Sequence, residues 1–258
     1  MIEIINQFDI EGEITSYELF GSGHIHDTYK LITTEKQYIF QKINHYIFKD
    51  VAGMMKNIQS VTDYLPSSYD RLGISSQETL RLIHTNHEKN YVHHKTGYFR
   101  MFDFKSHLKS FDVPESEDQI FESAKSYGFF LKALRDFNPL NLSVTIADFH
   151  NLDYRIRNYE KAKAKIKNLK SHPAEKQMNL VKSLSQQLRP IWSLDALSLV
   201  QKRVTHNDTK FNNVLLDEMN RGCCVIDLDT VMPGIVHYDF GDGIRSTCCT
   251  VAEDEIDL

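Results

Sequence analysis

A segment near the carboxyl-terminal end of the sequence combines the residue types that phosphoryl transfer requires. His206, Asp208 and Asn213 follow the pattern H-x-D-x-x-x-x-N, and Asp227 ends the next apolar run. Transfer of a phosphoryl group from ATP needs a carboxylate that orients the attacking hydroxyl and accepts its proton. It also needs oxygen ligands for the magnesium ion that bridges the phosphates. The pattern therefore predicts that Asp208 is the catalytic base and that Asn213 and Asp227 bind Mg2+.

A predicted β-hairpin brings the two magnesium ligands together. Two short apolar runs flank a polar loop that ends in Gly222, as in a hairpin. We expect Asp217 to pair with Cys223. In that register Asn213 lies directly opposite Asp227, with Cβ atoms about 5 Å apart, so that an amide oxygen and a carboxylate can share one cation. The alternative is a hairpin in which Asn213 and Asp227 only cap the ends of strands.

Three neighbouring residues also receive roles. Lys210 follows the predicted base and is placed to offset charge on the transferring phosphoryl group, although a solvated lysine is an equal alternative. His206 is predicted to hold the Asp208 loop through backbone hydrogen bonds rather than to transfer protons. Asp229 either reaches the metal through water or caps a turn.

A glycine-containing turn near the amino terminus is predicted to cover the nucleotide phosphates. Gly21, Ser22 and Gly23 lie between two predicted strands. Glycines let the backbone approach phosphates closely and present N–H groups to them. A plain hairpin turn is the alternative, but the strand that follows and the distant magnesium site favour phosphate binding.

The predicted elements describe an α+β chain. Strands are predicted over residues 17–20, 28–33, 37–43, 79–84, 89–93 and 98–104, with one helix over residues 50–65 that ends at Pro66. Helices are predicted over residues 117–137, 153–169, 175–188 and 194–201. We therefore expect an N-terminal nucleotide-binding lobe over residues 1–104, built on a small antiparallel sheet, and a mainly helical C-terminal catalytic lobe over residues 105–258.

Composition excludes several classes of protein. The 258 residues are 41% hydrophobic and 25% charged, as in an ordinary globular chain, and the net charge of −5 argues against non-specific nucleic-acid binding. No apolar run is long enough to span a membrane, and the first residues lack the features of a signal peptide. The four cysteines form two adjacent pairs with neither zinc-ligand spacing nor a disulfide framework, which predicts a cytoplasmic location.

Five segments of the chain resemble a known family of enzymes. They are F-G-S-G-H-I-H-D-T-Y at 20–29, Y-I-F-Q-K-I-N at 38–44, I-A-D-F-H at 146–150, T-H-N-D-T-K at 205–210 and Y-D-F-G-D-G-I-R at 238–245. Together they are similar to the aminoglycoside-phosphotransferase-like small-molecule kinases, and within these to the N-acetylhexosamine 1-kinases. The H-x-D-x-x-x-x-N pattern is shared with choline kinases and protein kinases. The first two segments are the ones that indicate sugar 1-kinases.

The resemblance implies a fold, a reaction and further site residues. The fold is a bilobal protein-kinase-like one, with a hinge near residues 101–105 that contacts adenine. The reaction transfers the γ-phosphoryl group of ATP, with Mg2+, to a hydroxyl of a small sugar, with the anomeric hydroxyl of an N-acetylhexosamine as the leading candidate. His24 then faces the sugar, and Asp239 braces the catalytic loop.

The sequence departs from the family pattern in two places. Kinases normally place a lysine on the third strand, but the matching position holds Gln41, with Lys42 beside it on the opposite face of the strand. Gln41 then contacts the nucleotide phosphates as a neutral donor, and the following helix holds Lys56 in place of the usual ion-pairing glutamate. Members of the family continue with further helices, so the C-terminal lobe is expected to be truncated.

Other functions remain open at this point. The same site could phosphorylate another small alcohol, such as an aminoglycoside or a choline-like amino alcohol. The chain could also be a non-catalytic nucleotide-binding fragment. A protein kinase is disfavoured because no activation segment closed by Ala-Pro-Glu is found.

Overall fold

The computed structural model describes residues 1–21, 25–168, 172–190, 192 and 198–248. The chain divides into two compact units, one formed by residues 1–146 with 203–258 and the other by residues 147–202. Three predicted site residues, Ser22, Gly23 and His24, lie outside the described residues, as does the start of the helix predicted over residues 194–201. The lobe boundary after residue 104 stays a prediction.

Five antiparallel strands form the sheet of the larger unit. They are β1 (Ile14–Leu19), β2 (Asp27–Thr33), β3 (Gln37–Ile43), β4 (Val92–His94) and β5 (Gly97–Asp103), in the order β1-β2-β3-β5-β4. A short helix, α1 (Ile2–Ile5), packs against the same apolar cluster as Phe40 of β3 and Phe99 of β5, whose rings stack. Side chains alternate along a strand, so Gln41 and its cross-strand partner Arg100 lie on the other face of the sheet.

The prediction of a strand over residues 79–84 is wrong. Leu82 makes only an isolated bridge to Phe102, and the chain hydrogen-bonds to β5 at two neighbouring points. β5 is already paired with β3 on one side and with β4 on the other. The segment therefore touches β5 only where β4 has ended.

Helix α2 (Val51–Arg71) passes through Pro66, where the sequence predicted its end. The Asp50 carboxylate caps its first turn by accepting a hydrogen bond from the Gly53 N–H. A proline inside a helix removes one backbone hydrogen bond and costs about 3 kcal/mol. The last turn nevertheless forms because Ser68 and Tyr69 are buried, and the Ser68 hydroxyl donates to the carbonyl of Ala133.

The rest of the larger unit carries the elements that position the site. They are α3 (Glu117–Ala133), β6 (Arg203–Thr205) paired with β9 (Met232–Gly234), β7 (Val214–Leu216) paired with β8 (Gly222–Val225), and α6 (Val236–Thr247). One hydrophobic core joins them to α2, with Ile58, Phe130, Val214 and Val225 among its buried members. The smaller unit contains α4 (Leu152–Lys163) and α5 (Glu175–Leu188), and the predicted bounds of α5 are confirmed.

The fold class expected from the sequence is confirmed: an antiparallel N-terminal sheet precedes a mainly helical part. None of the described helices is both long enough and apolar enough to cross a membrane.

Candidate active site

A loop after β6 carries the predicted base and is held by helix α6. The Asp239 carboxylate, in the first turn of α6, accepts hydrogen bonds from the backbone N–H groups of His206 (2.8 Å) and Asn207 (2.7 Å). Asn207 has a φ of 67°, a left-handed conformation that asparagine tolerates better than most residues. Its side-chain amide also donates to the carbonyl of Thr230. The loop is therefore tied to two separate elements.

His206 connects the same loop to the end of β8. Its Nε2 donates to the carbonyl oxygen of Ile226 (2.9 Å), and its Nδ1 accepts from the backbone N–H of Asp208 (3.3 Å). The ring is buried and packs edge-on against Tyr127 and Phe130. Both ring nitrogens thus bind backbone groups, and neither faces solvent.

Asp208 and Asn213 lie in direct contact. Asn213 ends a 3-10 turn (Phe211–Asn213), and its Nδ2 donates to the backbone oxygen (3.0 Å) and to a carboxylate oxygen (3.4 Å) of Asp208. Since the amide nitrogen faces Asp208, the amide oxygen of Asn213 points away from that carboxylate. Lys210 Nζ lies 3.7 Å from Asp208 Oδ1, so a positive charge stands beside the predicted base.

The hairpin register differs by one residue from the predicted one. Val214 pairs with Val225, and the Asn213 carbonyl accepts from the N–H of Ile226 rather than lying opposite Asp227. The difference arises in the turn, because the Asp217 carboxylate accepts hydrogen bonds from the N–H groups of Met219 and Arg221, both 2.9 Å long, and closes the loop early. Leu216 then pairs with Gly222 after a bulge.

Asp227 is presented to the site by a left-handed turn instead. Its φ is 57°, and the chain continues into a 3-10 turn (Leu228–Thr230). Its side chain is exposed to solvent, and many protein atoms also lie near its carboxylate. Desolvation by that protein, together with the negative charges of Asp229 and Asp208, raises the pKa of Asp227 to about 7. Acidic groups are therefore concentrated here, and a divalent cation would relieve their mutual repulsion.

The donor set fits Mg2+ with few protein ligands. Among the described residues, no group of three or more His, Cys, Asp or Glu side chains is arranged to hold a metal. Mg2+ is commonly bound through one or two carboxylates, with waters and substrate phosphates completing its octahedral shell. The Asp227 carboxylate and the Asn213 amide oxygen are donors of these types, and water molecules or phosphate oxygens would complete the shell.

A buried network beside the site was missed in the sequence. Arg100 of β5 makes two hydrogen bonds to the carboxylate of Asp229, one of them 2.8 Å long, and its Nε donates to Gln41 Oε1 at 2.9 Å. The amide nitrogen of Gln41 donates in turn to the Thr28 hydroxyl at 2.9 Å. Both ends of Gln41, predicted to contact phosphate, are thus engaged by protein groups.

His26 completes this network from the other side. Its Nδ1 accepts from the backbone N–H of Asn44 at 3.0 Å, so the ring proton is on Nε2, which donates to Asp229. Burial opposes the ionisation of Asp229, but Arg100 and His26 outweigh that effect and hold the pKa of Asp229 well below its usual range. A signal for the network was present, since Arg100 interrupts an apolar strand and a buried charge requires a partner.

Of the predicted phosphate turn, the structure describes only Gly21. Gly21 follows β1 and has a φ of 83°, in the left-handed region that favours glycine. A Cβ atom at this position meets no atom within 4 Å, so the residue faces open space. His26, which lies just beyond this turn, ties its carboxyl-terminal side to Asp229.

The chain is similar to one family of enzymes and to several solved structures. The model of the phosphotransferase enzyme family (APH) matches residues 16–257. An aminoglycoside phosphotransferase from Alicyclobacillus acidocaldarius aligns with a TM-score of 0.67 at 11% identity, over 96% of this chain and 71% of that one. A microcompartment-associated aminopropanol kinase aligns with a TM-score of 0.66 at 14% identity, over 93% and 71% of the two chains.

A spectinomycin phosphotransferase, solved in complex with ADP and spectinomycin, aligns with a TM-score of 0.54 at 15% identity, over 88% of this chain and 68% of that one. At these identities the three structures establish a shared fold.

Proposed function

Because the chain belongs to the phosphotransferase enzyme family (APH), we propose that it transfers the γ-phosphoryl group of ATP to a hydroxyl of a small sugar. The leading candidate is the anomeric hydroxyl of an N-acetylhexosamine. The contact between Asp208 and Asn213, beside the acidic Asp227, is the observation that supports phosphoryl transfer. The sugar is supported by the sequence segments at 20–29 and 38–44.

Asp208 acts as the base in this proposal. It orients the sugar hydroxyl and accepts its proton as the new O–P bond forms and the bond from the γ-phosphorus to ADP breaks. Lys210, at 3.7 Å from Asp208, offsets charge on the transferring group. His206 and Asp239 hold the loop that carries the base.

Other residues bind the nucleotide, the metal and the sugar. Asn213 and Asp227 would hold Mg2+, which neutralises phosphate charge when bound. The turn at 21–23 covers the phosphates, and His24 contacts the sugar. Gln41 donates one amide N–H to Thr28 and accepts at its oxygen from Arg100, so its second amide N–H is the one that would donate to a phosphate oxygen.

An acceptor screen with a blocked sugar tests the proposal. The chain is incubated with ATP and Mg2+ and with N-acetylglucosamine, N-acetylgalactosamine, aminopropanol, choline or an aminoglycoside, and the products are followed by 31P NMR. The matched control is the 1-O-methyl glycoside of each sugar, which differs only in its anomeric oxygen. We expect a sugar 1-phosphate from a free N-acetylhexosamine and none from its glycoside.

Two results would contradict the assignment in different ways. Phosphorylation of the methyl glycoside means that another hydroxyl is the acceptor. If an amino alcohol is the preferred acceptor, phosphoryl transfer is confirmed but the sugar is wrong as its substrate.

A further inference from the structure

The ion pair between Arg100 and Asp229 joins the sheet to the turn that presents Asp227. Both side chains are 2% exposed, and the planar guanidinium donates to both carboxylate oxygens. Such a two-point contact fixes orientation as well as distance. Asp229 lies in the 3-10 turn that begins directly after Asp227. The position of Arg100 is therefore transmitted to the backbone at Asp227.

This pair differs from the ion pair that kinases usually make. There, a lysine of the sheet pairs with a glutamate of the neighbouring helix. In this chain, helix α2 offers Arg100 only the sulfur of Met55, at 4.0 Å, and its Lys56 is exposed. Here the paired cation lies on β5 instead of β3, and its partner lies in the 3-10 turn after Asp227 instead of on helix α2.

The same geometry explains why residue 41 is a glutamine. Gln41 lies directly across from Arg100 in the sheet and accepts a hydrogen bond from its Nε. A lysine at this position would place a second cation against Arg100 and would have no acceptor to offer it. Glutamine instead orients the guanidinium towards Asp229.

We propose that Arg100 is a positioning residue of the metal site, which acts through Asp229 on the placement of Asp227. Gln41 orients Arg100, and His26 holds the second side of Asp229. This inference rests on the proposed function, because it takes Asp227 as a magnesium ligand. In this proposal Arg100 acts through Asp229 and is assigned no contact of its own with the metal or the substrate.

Binding of Mn2+ without nucleotide tests the inference directly. Mn2+ accepts the same hard oxygen ligands as Mg2+, and its free fraction is measured by electron paramagnetic resonance. Arg100→Lys keeps the charge and removes the two-point contact. Loss of an outer partner of a metal ligand lowers metal affinity by about 10- to 100-fold, and we expect a loss in this range. Mg2+·ATP should show a raised KM with a smaller change in kcat.

The matched control is Arg221→Lys. Arg221 forms an ion pair with Asp217 at 2.7 Å. Both residues lie on the same hairpin, at the turn and not at the end that leads to Asp227. The same chemical change there should leave the Mn2+ affinity within twofold of the wild type.

Gln41→Met provides a second variant in case Arg100→Lys does not fold. It removes the hydrogen bond to Arg100 but leaves both charges of the ion pair in place. A weaker loss of Mn2+ affinity is expected, and it cannot come from a missing phosphate contact because no nucleotide is present. Folding of each variant is checked by thermal unfolding.

The outcomes separate this inference from the proposed function. If the folded Arg100 and Gln41 variants bind Mn2+ as the wild type does while Asp227→Asn loses binding, the metal site stands and the role of Arg100 is refuted. If Asp227→Asn also leaves Mn2+ binding unchanged, the metal site itself is refuted, and the role of Arg100 with it.

Discussion

At the scale of single residues, Asp227 and Asp229 are close in sequence, but their surroundings shift the pKa values of their carboxyl groups in opposite directions. The charge of Asp229 is neutralised by Arg100, with His26 as a further donor, and its pKa is held low. Asp227 lacks such a cation at contact distance among the described residues, and its pKa is raised to about 7. Divergent pKa values within one site indicate divergent roles. We therefore propose that Asp229 stabilises the loop and that Asp227 is the carboxylate that binds the metal.

The role of Asp208 leads to a first expected outcome. Asp208→Asn keeps the shape of the side chain but removes the proton acceptor, so we expect kcat to fall by about 10²- to 10⁴-fold. ADP affinity, measured by calorimetry, should stay within about twofold because the base contacts the acceptor and not the nucleotide. Turnover within tenfold of the wild type would show that another group accepts the proton.

At the scale of secondary-structure elements, helix α2 contains a testable defect. Pro66 is exposed and lies inside the helix, where it leaves the carbonyl of Thr62 without its backbone donor. Pro66→Ala restores that hydrogen bond and removes no packing. We expect the free energy of unfolding, measured in urea, to rise by about 1–3 kcal/mol.

Ser67 gives the control for this substitution. It is the exposed neighbour of Pro66 in the same helix. Serine and alanine both carry a backbone N–H, so Ser67→Ala changes no backbone hydrogen bond. Its effect should be within about 0.5 kcal/mol. A decrease in stability of Pro66→Ala would mean that the helix is adapted to the proline ring.

Some elements followed from the sequence because local pattern decides them. The bounds of β3 (Gln37–Ile43) and α5 (Glu175–Leu188) agree with the prediction, since alternation and helical periodicity are strong there. The hairpin register did not follow, because the side chain of Asp217 closes the turn and a bulge absorbs one residue. The end of α2 did not follow either, because burial of Tyr69 by other elements overrides Pro66.

The network around Arg100 could not be predicted from the sequence, because only the complete fold brings its members together. Its members come from β2, β3, β5 and the turn after β8, and Arg100 and Asp229 are 129 positions apart. No local pattern relates such residues. The sequence indicated candidates for the base and the metal ligands because they share one segment, but it could not show that Gln41 faces an arginine. The roles assigned to these side chains remain predictions that the experiments address.

At the scale of the whole molecule, buried weak acids set an alkaline limit to stability. Burial raises the pKa of the Cys224 thiol to about 12 and raises the pKa of the Tyr69 hydroxyl above its usual value. A raised folded-state pKa means that the unfolded chain loses its proton first as the pH rises. The stabilising contribution is therefore complete below the unfolded pKa of cysteine, about 8.5, and is lost progressively towards pH 12.

This sign gives an expected pH dependence. The free energy of unfolding in urea should fall by about 1–3 kcal/mol between pH 8 and pH 10.5. Cys224→Ala should lower stability near neutral pH and show a shallower decline over this range. Cys248→Ala is the control, because Cys248 is exposed and its removal should leave the slope unchanged. Equal slopes in all three proteins would exclude Cys224 as a cause.

We propose that Asp227 and Asn213 bind the magnesium ion that phosphoryl transfer requires, with Asp208 as the base. The most direct measurement is the Mg2+-dependent rate of ADP formation with the accepted sugar, compared between wild type, Asp227→Asn and Glu218→Gln. Glu218 is an exposed acid on the same hairpin, and its variant serves as the matched control. We expect Mg2+-dependent turnover in the wild type and in Glu218→Gln, and a loss of at least about 100-fold in Asp227→Asn. Wild-type turnover by a folded Asp227→Asn variant would contradict the account.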